Sequence, residues 1–167
     1  MAFLTESGTS LTFPDTNGFR LRDCSAYLKL SGNYFKEMDA GWIDTVNNRV
    51  LLFELKDFSS PGSISGKINE RIFNLTKKSI DVLQIMLCVQ KQGALAADFE
   101  TCLPVPIANY ELEFYAVIHA PNQEADIQLI HDKFRTIFSP YARIWGIRKY
   151  AVMEKQQAVN RFPDIVS

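Results

Sequence analysis

The sequence is poor in the features that mark a membrane, disulfide-rich or strongly nucleic-acid-coating protein. No apolar run approaches the roughly 20 residues that span a bilayer, and residues 1–20 lack the basic-then-apolar plan of a signal peptide. The expectation is a soluble, cytoplasmic chain. Lys and Arg number 18 against 19 Asp and Glu, for a net charge of −1. A protein that grips nucleic acid over its whole surface carries a larger basic excess, so any such contact must come from a local patch. The three cysteines, Cys24, Cys88 and Cys102, are odd in number and widely spaced without metal-ligand spacing. They read as reduced core thiols. There are two histidines, His119 and His131, and no Gly-x-Ser-x-Gly elbow, glycine loop for phosphate, or zinc pattern. No internal repeat or low-complexity segment is visible.

What is present is enough apolar residue for one core. With 47% of 167 residues hydrophobic, residues 1–167 are expected to form a single domain, with a loose polar tail expected from about residue 156. Ser10–Phe13 and Tyr27–Leu30 read as short strands, with a short helix capped by Asp23 as the alternative for residues 24–30. The stretch from Tyr34 to Phe58 reads as a hairpin that completes a three-stranded antiparallel meander. A long helix is expected from about Ser63 to Gln92, with Ile64, Ile68, Ile72, Leu75, Ser79, Val82 and Met86 as its inner stripe. Tyr110–His119 alternates as a strand, and Pro121-Asn122 breaks it. Glu124–Phe138 reads as an amphipathic helix that Ser139-Pro140 ends, with Ile127, Ile130, Phe134, Ile137 and Phe138 inward. Arg148–Glu154 is the last expected strand. The fold class is therefore α+β (mixed α/β): a three-stranded meander, then helix, strand, helix, strand.

The hairpin carries the candidate chemistry. A two-residue tip at Asn47-Asn48 would pair Val46 with Arg49, Gly41 with Glu54 and Asp39 with Lys56. Side chains alternate along a strand, so Asp39, Gly41, Glu54 and Lys56 share one face, with space in front of Glu54 where Gly41 has no side chain. Glu37 lies on that face too, as an outer ligand or a solvated strand start. Asp44 faces the other way and reads as a turn residue. Ala40, Trp42, Leu51, Phe53 and Leu55 form the opposite, core-seeking face. Two acids and a lysine gathered this way make either a divalent-metal site or a cross-strand ion pair, Asp39–Lys56, beside an exposed Glu54.

Asp39 followed fifteen positions later by Glu54-Leu55-Lys56 at the end of an apolar strand resembles the Asp…Glu-x-Lys signature of the PD-(D/E)XK nuclease superfamily, the restriction-endonuclease-like fold. The resemblance covers the hairpin and, more loosely, the order of the elements after it. Met38 stands where the family's name has proline. The resemblance implies Mg²⁺ or Mn²⁺ held by Asp39, Glu54 and the backbone carbonyl of Leu55, with Lys56 acting on the attacking water. It implies hydrolysis of phosphodiesters in DNA before RNA, and it allows a homodimer. Relatives also draw an acid from a helix upstream of the hairpin, for which Glu6 is the candidate. Lys67, Arg71 and Lys78 lie on one stripe of the long helix and could contact a nucleic-acid backbone or form a solvated face. The family sometimes adds a polar group from this helix beside the acids, which puts Lys77, Lys78 and Gln84 forward. The competing reading is a non-catalytic module of the same fold that binds protein or nucleic acid. Tyr141, Trp145 and Tyr150, interleaved with Arg143, Arg148 and Lys149, form either a stacking surface or, more plainly, a core edge or dimer contact.

Overall fold

A computed structural model gives the architecture, and it describes residues 3–32, 34–59, 67–107, 109–120 and 123–167. Among the described residues, seven strands and five α-helices follow one another. They are β1 (Leu4–Glu6), β2 (Thr9–Leu11), β3 (Gly18–Phe19), α1 (Ser25–Ser31), β4 (Ala40–Asp44), β5 (Arg49–Asp57), α2 (Ile68–Gln90), α3 (Ala96–Glu100), β6 (Glu111–His119), α4 (Glu124–Trp145), β7 (Lys149–Glu154) and α5 (Lys155–Arg161). Strands β3 to β7 form one five-stranded sheet in sequential order. β3, β4 and β5 pair antiparallel, whereas β5–β6 and β6–β7 are parallel, each pair joined through a helical crossover.

The alternation read from the sequence decides which face meets what. Val50, Leu52, Leu112, Phe114, Ala116 and Ile118 point toward α2 and α4 and join Ile72, Val82, Met86, Ile130, Phe134 and Phe138 in the larger core. Ala40, Trp42, Leu51, Phe53, Leu55, Tyr115 and Val117 form the smaller core with Leu4, Leu11, Ala158, Phe162, Ile165 and Val166. The sheet is thus covered on both faces, as its continuous apolar central strands require.

Several expectations change. Residues 25–31 are helical rather than a strand, because α1 buries Ala26 and Tyr27 and leaves Leu28 61% exposed. Its N-cap is Cys24, not Asp23. The meander's first member is β3, while Thr9–Leu11 pairs with β1 in a separate two-stranded ribbon. Ser139-Pro140 does not end α4. Pro140 sits inside the helix, on its exposed side, where the lost backbone bond faces water. Phe138 and Ala142, buried on either side of it, hold the helix on course until Gly146 closes it at φ 71°. Ile137 is 48% exposed, not inward. The tail is tied down: Leu11 bridges Val166, the Ser10 amide donates to the Ser167 carbonyl, and Phe162, Ile165 and Val166 are buried. Cys24 and Cys102 form a disulfide with Cα atoms 5.5 Å apart, so only Cys88 is a free thiol. This replaces the reading of three reduced thiols. The expected start of α2 near Ser63, with Ile64, and the break at Pro121-Asn122 lie outside the described residues.

Candidate functional site

The hairpin register differs from the expected one by two residues. Asp44 pairs with Arg49, Gly41 with Leu52 and Ala40 with Phe53, so the tip is a four-residue turn, Thr45–Asn48. Asp44 builds it. Its carboxylate accepts from the Asn47 amide at 3.1 Å, the Asn47 side chain at 2.7 Å and Arg49 Nε at 2.8 Å, and Asn48 takes the left-handed backbone at φ 51°. Burial pushes the Asp44 carboxyl up, but these donors outweigh it and hold the pKa below its ordinary value. Asp44 is therefore a turn-fixing residue, as its position suggested.

A slip of two preserves side-chain parity, so Asp39, Glu54 and Lys56 still share a face, the one that meets α2. Asp39 lies one residue before β4, beside Glu54 rather than Lys56. Its carboxylate takes the Leu55 amide at 2.7 Å, substituting for a ladder partner where the backbone pairing stops. A strand residue's amide and carbonyl point to the same edge. The Leu55 carbonyl thus faces the Asp39 side, where it accepts from Ser7 Oγ at 3.4 Å. Both acids are buried, Asp39 to 2% and Glu54 to 1% residual exposure, which rules out the reading of an exposed Glu54 beside a surface ion pair. Gly41 does not open space for Glu54. A Cβ there would fall 2.2 Å from the Phe19 ring, so the glycine admits β3's aromatic side chain.

Two lysines converge on Glu54. Lys56 Nζ lies 2.5 Å from Oε1, and Lys78 Nζ, from the middle of α2, lies 2.7 Å from Oε1 and 2.9 Å from Oε2. The same ammonium groups stand 4.0 Å and 3.8 Å from Asp39. Arg22, on the short 3₁₀ turn before α1, reaches Asp39 Oδ1 at 3.4 Å and Glu37 at 3.4 Å. Three carboxylates, Glu37, Asp39 and Glu54, are thereby matched by three cations. Burial, seconded by the Asp39 charge, raises the Glu54 pKa above its ordinary value despite the lysines. For Lys78, burial works downward, but the Glu54 carboxylate prevails and its pKa is raised.

Of the expected helix residues, Lys78 is in the site and Arg71 stands beside it, its guanidinium 4.4 Å above the Phe58 ring. Lys67 is exposed at the N-cap of α2, Lys77 pairs with Asp81 at 2.7 Å, and Gln84 is exposed. Glu6 lies in the β1–β2 ribbon, whose apolar residues Leu4 and Leu11 pack in the smaller core; the helix that does precede the hairpin, α1, carries no acid. Glu37 lies near the site, paired with Arg22 at 3.4 Å and with its side chain 16% exposed, rather than being a solvated strand start. Sequence reasoning missed Arg22 and Lys36, since neither sits in a periodic pattern that assigns it a direction. Tyr150 packs on Phe134 and Phe138 as core edge, while Tyr141 and Trp145 remain partly exposed.

Two carboxylates and a backbone carbonyl form a hard-oxygen donor set of the kind that suits Mg²⁺ with water completing the shell. Among the described residues no group of three or more His, Cys, Asp or Glu side chains gathers as a metal cage. A divalent ion entering here would have to displace Lys78, from which both Glu54 oxygens accept. Among the described residues no helix is long and apolar enough to cross a membrane. Comparison with protein-family models, with curated proteins and with solved structures finds no match.

Proposed function

We propose that the chain hydrolyses phosphodiesters of nucleic acid, DNA before RNA, at the Asp39–Glu54–Lys56 face, as its resemblance to the PD-(D/E)XK nucleases implies. The observation that carries this reading is the burial of two adjacent carboxylates against two lysines at the end of β5. Burying two carboxylates costs a fold much desolvation, and buried titratable groups with raised pKa values and charged partners concentrate at functional sites. Asp39, Glu54 and the Leu55 carbonyl would hold Mg²⁺ or Mn²⁺. When bound, the ion supplies positive charge against the substrate phosphate and acidifies nearby water.

The chain's own residues do the rest. Lys56, 36% exposed and so reachable from solvent, orients the attacking water and offsets charge as it builds on the phosphoryl oxygens. The water oxygen bonds to phosphorus as the bond to the leaving oxygen breaks; one water proton passes to solvent and the leaving oxygen is protonated in turn. Lys78 keeps Glu54 ionised and fixes its direction. Met38 and Leu55, both buried beside the acids, keep bulk water from behind them.

A Mg²⁺ or Mn²⁺ titration by calorimetry, run beside cleavage of plasmid and single-stranded DNA, tests the proposal. Binding and cleavage are expected, with cleavage lost in Lys56→Ala and binding lost in Glu54→Gln. Absence of both in the unmodified protein refutes it. One observation favours the second reading, a non-catalytic module: both Glu54 oxygens already accept from Lys78. Nucleic-acid or protein binding without any metal uptake would establish that alternative.

A further inference from the structure

Next to the acids, between the β5–β6 face and α2, lies a cavity of about 220 Å³. Its floor is apolar, made by Leu75, Ala116, Ile118 and Ile130, and its wall is cationic, made by Lys36, Lys56, Arg71 and Lys78. Four cationic side chains thus face one lining carboxylate, Glu54. The imbalance is not spread evenly. Lys56 and Lys78 are engaged with Glu54, whereas Lys36 and Arg71 have no carboxylate partner among the described residues. Lys36 Nζ donates to the neutral Asn74 side chain at 3.1 Å. Arg71 stacks on the Phe58 ring, and among the described residues its Nε is buried without a hydrogen-bond partner, as are Arg20 Nε and Arg22 Nε. A desolvated guanidinium donor that finds nothing in the protein is costly to leave unmade, and its planar fork matches a phosphate.

Size and charge narrow the class. A phosphodiester carries a single charge and continues in both directions from its phosphate. At about 220 Å³ the cavity is below the usual range for drug-sized ligands and has room for a phosphate with part of the group that carries it. A phosphomonoester terminates at its phosphate and carries close to two charges at neutral pH, which four cations and one carboxylate accommodate better than a single charge. We infer that the cavity is a phosphomonoester site that receives the terminal phosphate of a nucleotide chain or of a free nucleotide, with Arg71 and Lys36 as its principal donors. The identity of the ligand as a nucleotide rests on the nuclease reading above; the anion site itself rests on the cavity.

The test is calorimetry in the presence of EDTA, so that metal plays no part. The probes are a nucleoside 5′-monophosphate, a short single-stranded oligonucleotide with a 5′-phosphate, one with a 3′-phosphate, and the hydroxyl-ended counterpart of each. At least one phosphorylated probe should bind about ten-fold or more tighter than its hydroxyl counterpart, a difference that a charge-assisted guanidinium–phosphate contact readily supplies. The probe that gains identifies the source of the phosphate. Arg71→Gln should remove the gain, and Lys36→Met should reduce it, in variants whose circular dichroism and melting show an intact fold. Equal binding of phosphorylated and hydroxyl probes overturns the inference, as does a phosphate gain that survives in both variants. Phosphate-dependent binding in EDTA together with no Mg²⁺ uptake would sink the nuclease reading and leave this site standing; Mg²⁺-dependent cleavage with no phosphate preference would do the reverse.

Discussion

Replacing Lys78 by methionine separates the two accounts of the acid cluster. The substitution keeps the aliphatic stem that packs along α2 and removes the ammonium that holds both Glu54 oxygens at 2.7 and 2.9 Å. Removing one partner of a buried pair costs about 3–5 kcal/mol when the remaining charge is stranded. Here Lys56 stays within 2.5 Å of Glu54, and the carboxyl, whose pKa burial already raises, can take up a proton. The loss should therefore sit nearer that of one charge-assisted hydrogen bond, about 1.5–3 kcal/mol. At roughly 2–4 °C per kcal/mol for a chain of this size, melting should fall by about 3–12 °C at neutral pH. The second half of the prediction concerns Mg²⁺. If Asp39 and Glu54 form a metal site, the variant frees the Glu54 lone pairs, and added Mg²⁺ should raise its melting temperature more than it raises that of the unmodified protein. Paired thermal melts with and without Mg²⁺ measure both. A variant as stable as the parent would refute the geometry of the pair. A destabilised variant that Mg²⁺ fails to rescue would refute the metal site while leaving the ion pair intact.

The remaining predictions rest on other contacts. Glu54 has its folded pKa raised, so the folded state binds its proton more tightly; stability tied to it is highest below the ordinary value of 4.5 and declines as pH rises through that value toward the folded pKa. Glu54→Gln should flatten this slope in denaturant titrations across the acid range, and an unchanged slope would contradict the burial. Gly41→Ala should destabilise by about 1–3 kcal/mol, because its Cβ meets the Phe19 ring at 2.2 Å; Phe19→Leu in the same chain should recover part of the loss in thermal melts. Reducing the Cys24–Cys102 disulfide, which spans 78 positions, should cost about 4–5 kcal/mol on the chain-entropy account, read as a lower midpoint in urea with dithiothreitol; no shift would mean that the thiols are not joined in solution. Tyr115, buried and donating to Glu113 at 2.8 Å, has its phenol pushed up to about 12, so Tyr115→Phe should remove the ultraviolet absorbance change that develops around pH 12 in an alkaline titration, and a change that persists there would contradict the assignment.

How much of this was legible in the sequence depended on parity and on neighbours. The face shared by Asp39, Glu54 and Lys56 survived an error of two residues in register, because strand side chains repeat every two positions. The error itself came from the tip: Asn47-Asn48 suggests a two-residue turn, but Asp44 accepts three hydrogen bonds and stabilises a four-residue one. The role of Gly41 was misread because the ring that fills the space, Phe19, arrives from another strand. The segment 25–31 is short enough for either period, and burial of Tyr27, whose hydroxyl donates to the Phe35 carbonyl at 3.0 Å, decides for helix. Pro140 signals a helix end, yet the apolar residues flanking it outweigh one missing bond on a solvent-facing side. The pairing of Cys24 with Cys102 brings together residues far apart in the chain, which spacing alone cannot reveal.

The cluster's charge balance bears on function more than any single residue in it. Glu37, Asp39 and Glu54 are neutralised within the chain by Arg22, Lys56 and Lys78, so the fold does not depend on a ligand to offset buried carboxylates. A metal ion entering such a site exchanges one set of electrostatic partners for another, and its affinity reflects the difference between them rather than the full attraction of two bare acids. The same exchange sets a direction for the ammonium groups. Displaced from Glu54, Lys78 and Lys56 would turn toward the cavity that Arg71 and Lys36 already line, where an anion is the partner that the surrounding charge favours. Cation uptake at the acids and phosphate uptake in the cavity would then reinforce each other, and by reciprocity each should raise the affinity of the other. Calorimetric titration of Mg²⁺ with and without a saturating nucleoside monophosphate should show that coupling as tighter Mg²⁺ binding in the presence of the phosphate, and equal affinities would show that the acids and the cavity work apart.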